Sequence, residues 1–252
     1  IAPIISPVFT SIYNESINTG IIPDILKISR VTPIYKSGTI TIPNNYRPIS
    51  VLSAFSKILE KIIYNQLELF LVKNGILFEY QFGFRKGYST EQAILEITDT
   101  LKTTIDKKEI TCGLFLDFSK AFDTVNHQIL LSKLNKYGIR GTQLNWFKSY
   151  LMNRKQYVRI GNSDSEMLTM TCGVPQGSTL GPLLFLIYIN DMPNCSDKLS
   201  FRIFADDTNV FYSNTNIEDV ENVMNIEIEK IFRYCATNRL SINLEKTNFM
   251  VI

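Results

Sequence analysis

From Phe55 onward apolar side chains return every third or fourth position, at Ile58, Leu59, Ile62, Ile63, Leu67 and Phe70, before Asn74-Gly75 interrupts. That spacing predicts an amphipathic helix closed by a glycine stop. Ser89-Thr90-Glu91-Gln92 reads as a capping box that opens a second helix through Ile94, Ile97, Leu101 and Ile105. Thr215-x-x-Glu218 opens a third, whose stripe is Ile217, Val220, Met224, Ile228, Ile231 and Cys235. All three stripes read as core. Short apolar runs lie between them. Thr111 to Phe118 predicts one strand, Tyr157 to Ile160 and Met167 to Cys172 a hairpin around Gly161-Asn162-Ser163-Asp164, and Phe249 to Ile252 a last strand. Phe201 to Phe204 and Thr208 to Tyr212 flank Ala205-Asp206-Asp207. Short antiparallel strands with helices on one face predict an α+β layer architecture.

The 252 residues hold 45% hydrophobic and 20% charged side chains, a globular balance that leaves out disorder and fibres. The longest nearly pure apolar run, Pro182 to Ile189, is far short of the roughly 20 residues a membrane span needs, and Ile1-Ala2-Pro3 lacks the basic start of a secretory leader. The expectation is a soluble chain. Four scattered cysteines without a C-x-x-C pair, and a single histidine, His127, make a structural zinc and a Ser-His-Asp hydrolase poor readings. Free, partly buried thiols in a reducing intracellular compartment are expected instead. Net charge is +2, but residues 1–90 carry nine basic and five acidic side chains. The remainder is therefore net acidic, which fits a basic surface early and an acidic site late.

Two acidic positions sit at the polar ends of apolar strands: Asp117 after Gly113-Leu114-Phe115-Leu116, and Asp206-Asp207 after Phe201-Arg202-Ile203-Phe204-Ala205. A carboxylate with apolar flanks calls for a compensating cation, and Asp with backbone oxygens but no His or Cys favours Mg²⁺ or Mn²⁺ over zinc. Two such ions about 3.5–4 Å apart can activate a hydroxyl and stabilise a departing phosphate oxygen. The rival reading is an Asp-Asp hairpin turn beside an unrelated strand end.

The residues around these acids narrow the choice. Leu116-Asp117-Phe118-Ser119-Lys120-Ala121-Phe122-Asp123-Thr124-Val125-Asn126-His127, Gly173-Val174-Pro175-Gln176-Gly177-Ser178-Thr179-Leu180-Gly181-Pro182 and Phe204-Ala205-Asp206-Asp207-Thr208 occur in that order. They resemble the A, B and C motifs of reverse transcriptases, in particular the non-LTR retrotransposon polymerases of the jockey-like or long-interspersed-element kind. Pro33-Ile34-Tyr35-Lys36-Ser37-Gly38, Tyr46-Arg47-Pro48-Ile49-Ser50 and Gln81-Phe82-Gly83-Phe84-Arg85 resemble that family's finger motifs. Leu240-Ser241-Ile242-Asn243-Leu244-Glu245-Lys246-Thr247 resembles its D motif. The Phe-Ala-Asp-Asp box keeps both acids of the retroviral Tyr-Met-Asp-Asp.

The resemblance implies an RNA-directed DNA polymerase with right-hand fingers and palm, an antiparallel palm sheet backed by helices, and the thumb absent because the chain stops just after the D motif. It implies mainly fingers over 1–110, with motifs around 33–50 and 81–85. Mainly palm follows over 111–252, with motif A at 114–127, B at 173–182, C at 204–208 and D at 240–247, the two interleaving in part. It implies that Asp117, Asp206 and Asp207 form the catalytic cluster and, with the Phe118 carbonyl, hold two Mg²⁺ ions, Mn²⁺ being possible. Strand alternation alone favours Asp117 and Asp206 as ligands, and only a sharp turn brings Asp207 near as well.

By the same resemblance Phe122 lies under the incoming sugar and excludes a 2′-hydroxyl, although simple core packing accounts for it equally. Gln176 contacts the nucleotide or the templating pair, Lys36 and Arg47 neutralise triphosphate, Arg85 holds the template and Lys246 can donate a proton to leaving pyrophosphate. Asp123 reads as a cap of the following helix, and Trp146, Phe147 and Tyr150 as helix core before base-stacking residues. The implied partners are an RNA template, a DNA primer or target and dNTPs, with no membrane and no protein partner deducible, in the nucleus. An RNA-dependent RNA polymerase shares the carboxylates but calls for a polar residue at Phe122. A non-catalytic nucleic-acid-binding relic of a mobile element is the other alternative.

Overall fold

The apolar stripe that starts near Phe55 forms a helix because its returns match 3.6 residues per turn, and it ends where Gly75 takes a left-handed φ of 59°. In the computed structural model, which describes residues 2–252, the chain runs α1 (Ala2–Thr19), β1 (Ile28–Tyr35), β2 (Tyr46–Leu52), α2 (Ala54–Lys73), α3 (Thr90–Asp106) and β3 (Ile110–Leu116). It continues through α4 (His127–Lys136), α5 (Gly141–Leu151), β4 (Lys155–Ile160), β5 (Ser163–Asp164), β6 (Leu168–Thr169) and α6 (Gly181–Ile189). The last elements are β7 (Ser200–Phe204), β8 (Asp207–Asn214), α7 (Ile217–Thr237) and β9 (Asn248–Val251). These elements form two compact units, each made of two stretches of chain.

One unit takes the chain up to Lys73 together with Val125–Leu184. Its sheet has the order β2-β1-β4-β5, with β6 also on β4. β1 and β2 form an antiparallel hairpin, but β1 and β4 run parallel, with Ile28 beside Lys155 and Val31 beside Val158. This departs from the purely antiparallel expectation: β1 and β4 are far apart in sequence, and a long crossover is what permits parallel pairing. The expected hairpin of Tyr157–Ile160 with Met167–Cys172 is also redrawn. Gly161, at φ 58°, turns β4 straight into β5, so Ile160 faces Ser163, while β6 keeps only two residues of the second run. Trp146, Phe147 and Tyr150 are buried core, as their helical spacing predicts.

The other unit, Asn74–Thr124 with Phe185–Ile252, carries an antiparallel sheet in the order β7-β8-β3-β9, against which α3 and α7 pack. The α3 capping box is present, Ser89 Oγ accepting from Gln92 N–H and Gln92 Oε1 from Ser89 N–H. Two expected caps move. α7 is capped by Asn216, which accepts from Glu218 N–H, and not by Thr215; α4 is capped by Asn126, which accepts from Gln128 and Ile129 N–H, and not by Asp123. In both cases an Asn nearer the first turn reaches the orphan amides with less strain on the entering chain. All four cysteines are free thiols, and Cys112 and Cys235 are buried. Among the described residues no helix is long and apolar enough to cross a membrane.

Candidate active site

The acidic positions are brought together by strand register. β7 and β8 pair so that Phe204 faces Asp207, which leaves Ala205 and Asp206 as a two-residue turn. Ala205 is buried at φ 58°, a left-handed conformation that costs a residue with a Cβ about 1–2 kcal/mol. β8 then pairs antiparallel with β3 down to Leu116 against Thr208, and one further step of that register sets Asp117 opposite Asp207. Asp117, Asp207 and Lys246 line one open pocket of about 450 Å³, walled by Ala93, Ile94 and Ile97 of α3. The tight turn thus supplies the condition under which Asp207 joins Asp117.

The segment after α7 docks on the end of β3. Ser119 N–H donates to Ser241 O at 2.8 Å, and Asn243 N–H to Asp117 O at 2.8 Å, so residues 241–243 lie antiparallel to 117–119. Asn243 Nδ2 also donates to Asp117 Oδ2 at 3.0 Å, and Lys246 Nζ stands 3.6 Å from the same oxygen. Lys246 reaches there because the chain turns back on itself, with Lys246 and Thr247 N–H both donating to Asn243 O. A residue named only as part of a motif, Asn243, therefore holds Asp117 twice, its N–H on the backbone carbonyl and its side-chain amide on the carboxylate. Its place three positions before Lys246 was the available signal.

Burial, reinforced by the negative charge of Asp117, raises the carboxyl pKa of Asp206, with Lys246 pulling the other way. Burial again, then repulsion from Asp206 and Asp117, raises that of Asp207. Three carboxylates thus share a partly desolvated space in which one ammonium offsets only part of their repulsion. Among the described residues no group of three or more His, Cys, Asp or Glu side chains is arranged so that it could hold a metal ion. An all-oxygen set of open geometry nevertheless fits a hard divalent ion, since Mg²⁺ keeps one or two carboxylates and fills its shell with water and substrate phosphates.

Two further positions fall in the same unit. Phe122 is half-buried, stacked on Phe185 at 4.6 Å and edge-on to Phe84 at 6.0 Å. Arg85 lies over the Tyr88 ring and donates through Nη1 to the carbonyls of Phe78, Glu79 and Gln81, which ties its own loop together. Lys36, Arg47 and Gln176 belong to the other unit. Lys36 and Arg47 are exposed on the β1–β2 hairpin, and the loop of Gln176 is pinned to β2, with Ser50 N–H donating to Gln176 O at 2.7 Å. Gly177 follows at φ 115°, and a Cβ there would sit 2.6 Å from Ser50 O, so only glycine permits that approach.

Residues 34–251 match the family model described as reverse transcriptase (RNA-dependent DNA polymerase). The chain belongs to the reverse transcriptase family. It is 34% identical over 94% of its length to the "probable RNA-directed DNA polymerase from transposon BS" of Drosophila melanogaster, spanning 27% of that relative. It is 30% identical over 93% of its length to the "RNA-directed DNA polymerase from mobile element jockey" of the same organism, spanning 26% of that protein. The chain therefore covers about a quarter of these curated relatives. In fold it is similar to telomerase from Candida albicans, solved in complex with a fragment of telomeric RNA, at TM-score 0.66 and 13% identity over 97% of this chain and 45% of that one. Polymerases of the reverse transcriptase family generally use divalent metal ions.

A buried charge network in this reverse transcriptase domain had no signature in the sequence. Glu60 of α2 is 2% exposed and accepts from Thr179 N–H at 2.6 Å, Leu180 N–H at 3.4 Å and Tyr150 Oη at 3.1 Å. It thereby caps the start of α6, next to Gln176 and Gly177. Arg154, 1% exposed, lies over the Tyr150 ring and donates to Tyr150 O. Burial raises the Glu60 pKa, and Arg154 and the donated hydrogen bonds counter it. Glu60 sits within the amphipathic α2 pattern, where a charged residue reads as solvent-facing.

Proposed function

We propose that this domain copies RNA into DNA by nucleotidyl transfer in retrotransposition, a primer 3′-hydroxyl attacking the α-phosphate of a deoxynucleotide with loss of pyrophosphate. The carrying observation is that Asp117, Asp207 and Lys246 line one pocket while Asp206, in the adjoining turn, is near enough for its charge to act on Asp207 and for that of Asp117 to act on it, their repulsion only partly offset. Two Mg²⁺ ions, or Mn²⁺, held by these carboxylates and the Phe118 carbonyl, would supply activation of the attacking oxygen and stabilisation of the departing one. The protein's own share is positioning and electrostatics. Asn243 orients Asp117, and Lys246, which stands at Asp117 Oδ2, is the proton donor to the leaving pyrophosphate.

We assign Lys36 and Arg47 to triphosphate neutralisation, Gln176 to the nucleotide or templating pair, Arg85 to the template and Phe122 to exclusion of the 2′-hydroxyl. The unit with the carboxylates is read as palm and the unit with the β1–β2 hairpin as fingers, interleaved along the chain. RNA template, DNA primer and dNTPs are then the partners, and the nucleus, where target DNA lies, the place of action. The test is primer extension on an RNA template with Mg²⁺, in the full-length chain. Asp206→Asn is expected to abolish extension while RNA–DNA binding stays nearly intact. Extension retained by Asp206→Asn, or wild-type preference for rNTPs over dNTPs, overturns the reading.

A further inference from the structure

The turn that carries Asp206 has no strand partner for the N–H of Ala205, and Ala205 is only 4% exposed. A buried amide in that position needs an acceptor. The acceptor comes from a segment far away in sequence. Residues 80–82 run beside β7, with Ile203 N–H donating to Tyr80 O at 2.9 Å and Phe82 N–H to Ile203 O at 2.8 Å. Between them Gln81, 3% exposed, turns its Oε1 to the end of the strand, where it accepts from Ala205 N–H at 3.0 Å and from Gly83 N–H at 2.8 Å. A Cβ on Gly83 would lie 2.2 Å from the Ala205 nitrogen, so the two backbones meet at a distance open only to glycine.

We infer that Gln81 is a positioning residue for the polymerase reaction: one carboxamide oxygen clamps the left-handed Ala205 and so fixes where Asp206 and Asp207 point. The inference rests on the polymerase reading for its catalytic consequence, but not for the contact itself. It gives the Gln81-Phe82-Gly83 stretch a task distinct from that of Arg85, four residues on. The stretch is an outside brace on a turn that β7 and β8 alone leave with a buried, unmet amide and an unfavourable φ.

The test compares Gln81→Met, of similar length without an acceptor, and Gln81→Glu, which keeps one, in the full-length chain. Hydrogen exchange at the Ala205 amide reads the clamp directly. The Mg²⁺ dependence, kcat and dNTP KM of single-nucleotide addition read its consequence. In Gln81→Met the Ala205 amide is expected to exchange about tenfold faster or more, kcat to fall about tenfold, and the Mg²⁺ midpoint to rise, with dNTP KM within about twofold. Gln81→Glu is expected to restore amide protection. If Gln81→Met does not fold, Gln81→Asn, too short to span to Ala205, carries the same expectations. Wild-type exchange at Ala205 in the acceptor-free or shortened variant overturns the clamp. Faster exchange with unchanged kcat and Mg²⁺ dependence overturns the positioning role. A wild-type chain that extends no primer instead defeats the polymerase reading, while the exchange measurement still decides the clamp.

Discussion

Removing the carboxylate of Glu60 is a severe perturbation. The side chain accepts three hydrogen bonds and lies near the guanidinium of Arg154, whose Nε and Nη2 have no hydrogen-bond partner among the described residues. In Glu60→Ala that cation stays buried without its counter-charge, and breaking a buried pair from one side costs about 3–5 kcal/mol. The orphaned N–H groups of Thr179 and Leu180 belong to the same deletion and are not counted again. For a chain of this size about 2–4 °C of melting temperature accompanies each kcal/mol, so the expected drop is about 6–20 °C. The assay is urea unfolding of wild type, Glu60→Ala, Arg154→Met and the pair Glu60→Met with Arg154→Met. The double replacement is expected to be much less destabilised than the sum of the single ones, since it leaves no unpaired charge inside. A Glu60→Ala protein within about 1 kcal/mol of wild type, or strict additivity in the double variant, would refute the reasoning.

The remaining predictions concern the sugar and the single histidine. Phe122→Val is expected to narrow discrimination between dNTP and rNTP by about tenfold or more, measured as the ratio of kcat/KM values; an unchanged ratio leaves Phe122 as packing against Phe185 and Phe84 alone. His127 is buried, with Nε2 2.8 Å from the Gly173 carbonyl, so the neutral ring carries its proton there. Burial first, and then Arg154, holds its pKa below the ordinary value against the pull of that carbonyl. The unfolded chain then binds the proton more readily. The contribution of neutral His127 is complete above about pH 6.5 and is lost as pH falls toward the lowered folded value, by at most about 1.4 kcal/mol per pH unit. His127→Gln is expected to flatten stability against pH between about 5 and 7, measured by urea midpoints, and an unaltered profile would discard the assignment.

Which parts of this were legible in sequence follows from what periodicity can encode. α2 and α7 each bury most of one stripe and leave the other face wet, so their returns at three and four residues stand out, whereas in α3 only Ala93 and Thr104 are buried and Ile94 and Ile105, expected in the core, are exposed. β7, β8 and the end of β3 were legible because apolar runs stop abruptly at acids. α1 and the β1–β2 hairpin were not read as elements, the β1–β2 runs standing out for their Lys, Arg and Pro, while α4 and α5 were read only as a helix after Asp123 and a helix core at Trp146, Phe147 and Tyr150, without bounds, because both are short. The parallel β1–β4 pair could not be foreseen, since no local pattern records which distant strand lies alongside. Of the site, the three acids and Lys246 were named from sequence. Asn243, Gln81 and Glu60 were not given roles, because each acts by accepting or donating toward a backbone or carboxylate that only the fold brings near.

The residues packed around the three aspartates share a physical function that the aspartates lack. Three carboxylates crowded at a strand end work against folding, and a left-handed Ala205 adds to the cost. Nothing in the aspartates themselves offsets this, so the compensation has to come from around them. Asn243 and Lys246 supply a donor and a charge to Asp117, Gln81 supplies the acceptor for Ala205, and the seven-residue pairing of β3 with β8 fixes both ends against their repulsion. A site arranged in this way keeps a net negative charge that only part of its own surroundings offsets. Relieving the strain inside the protein, for example with a residue that fits the turn without Gln81, would be expected to gain stability and to lose the geometry that makes the cluster chemically useful.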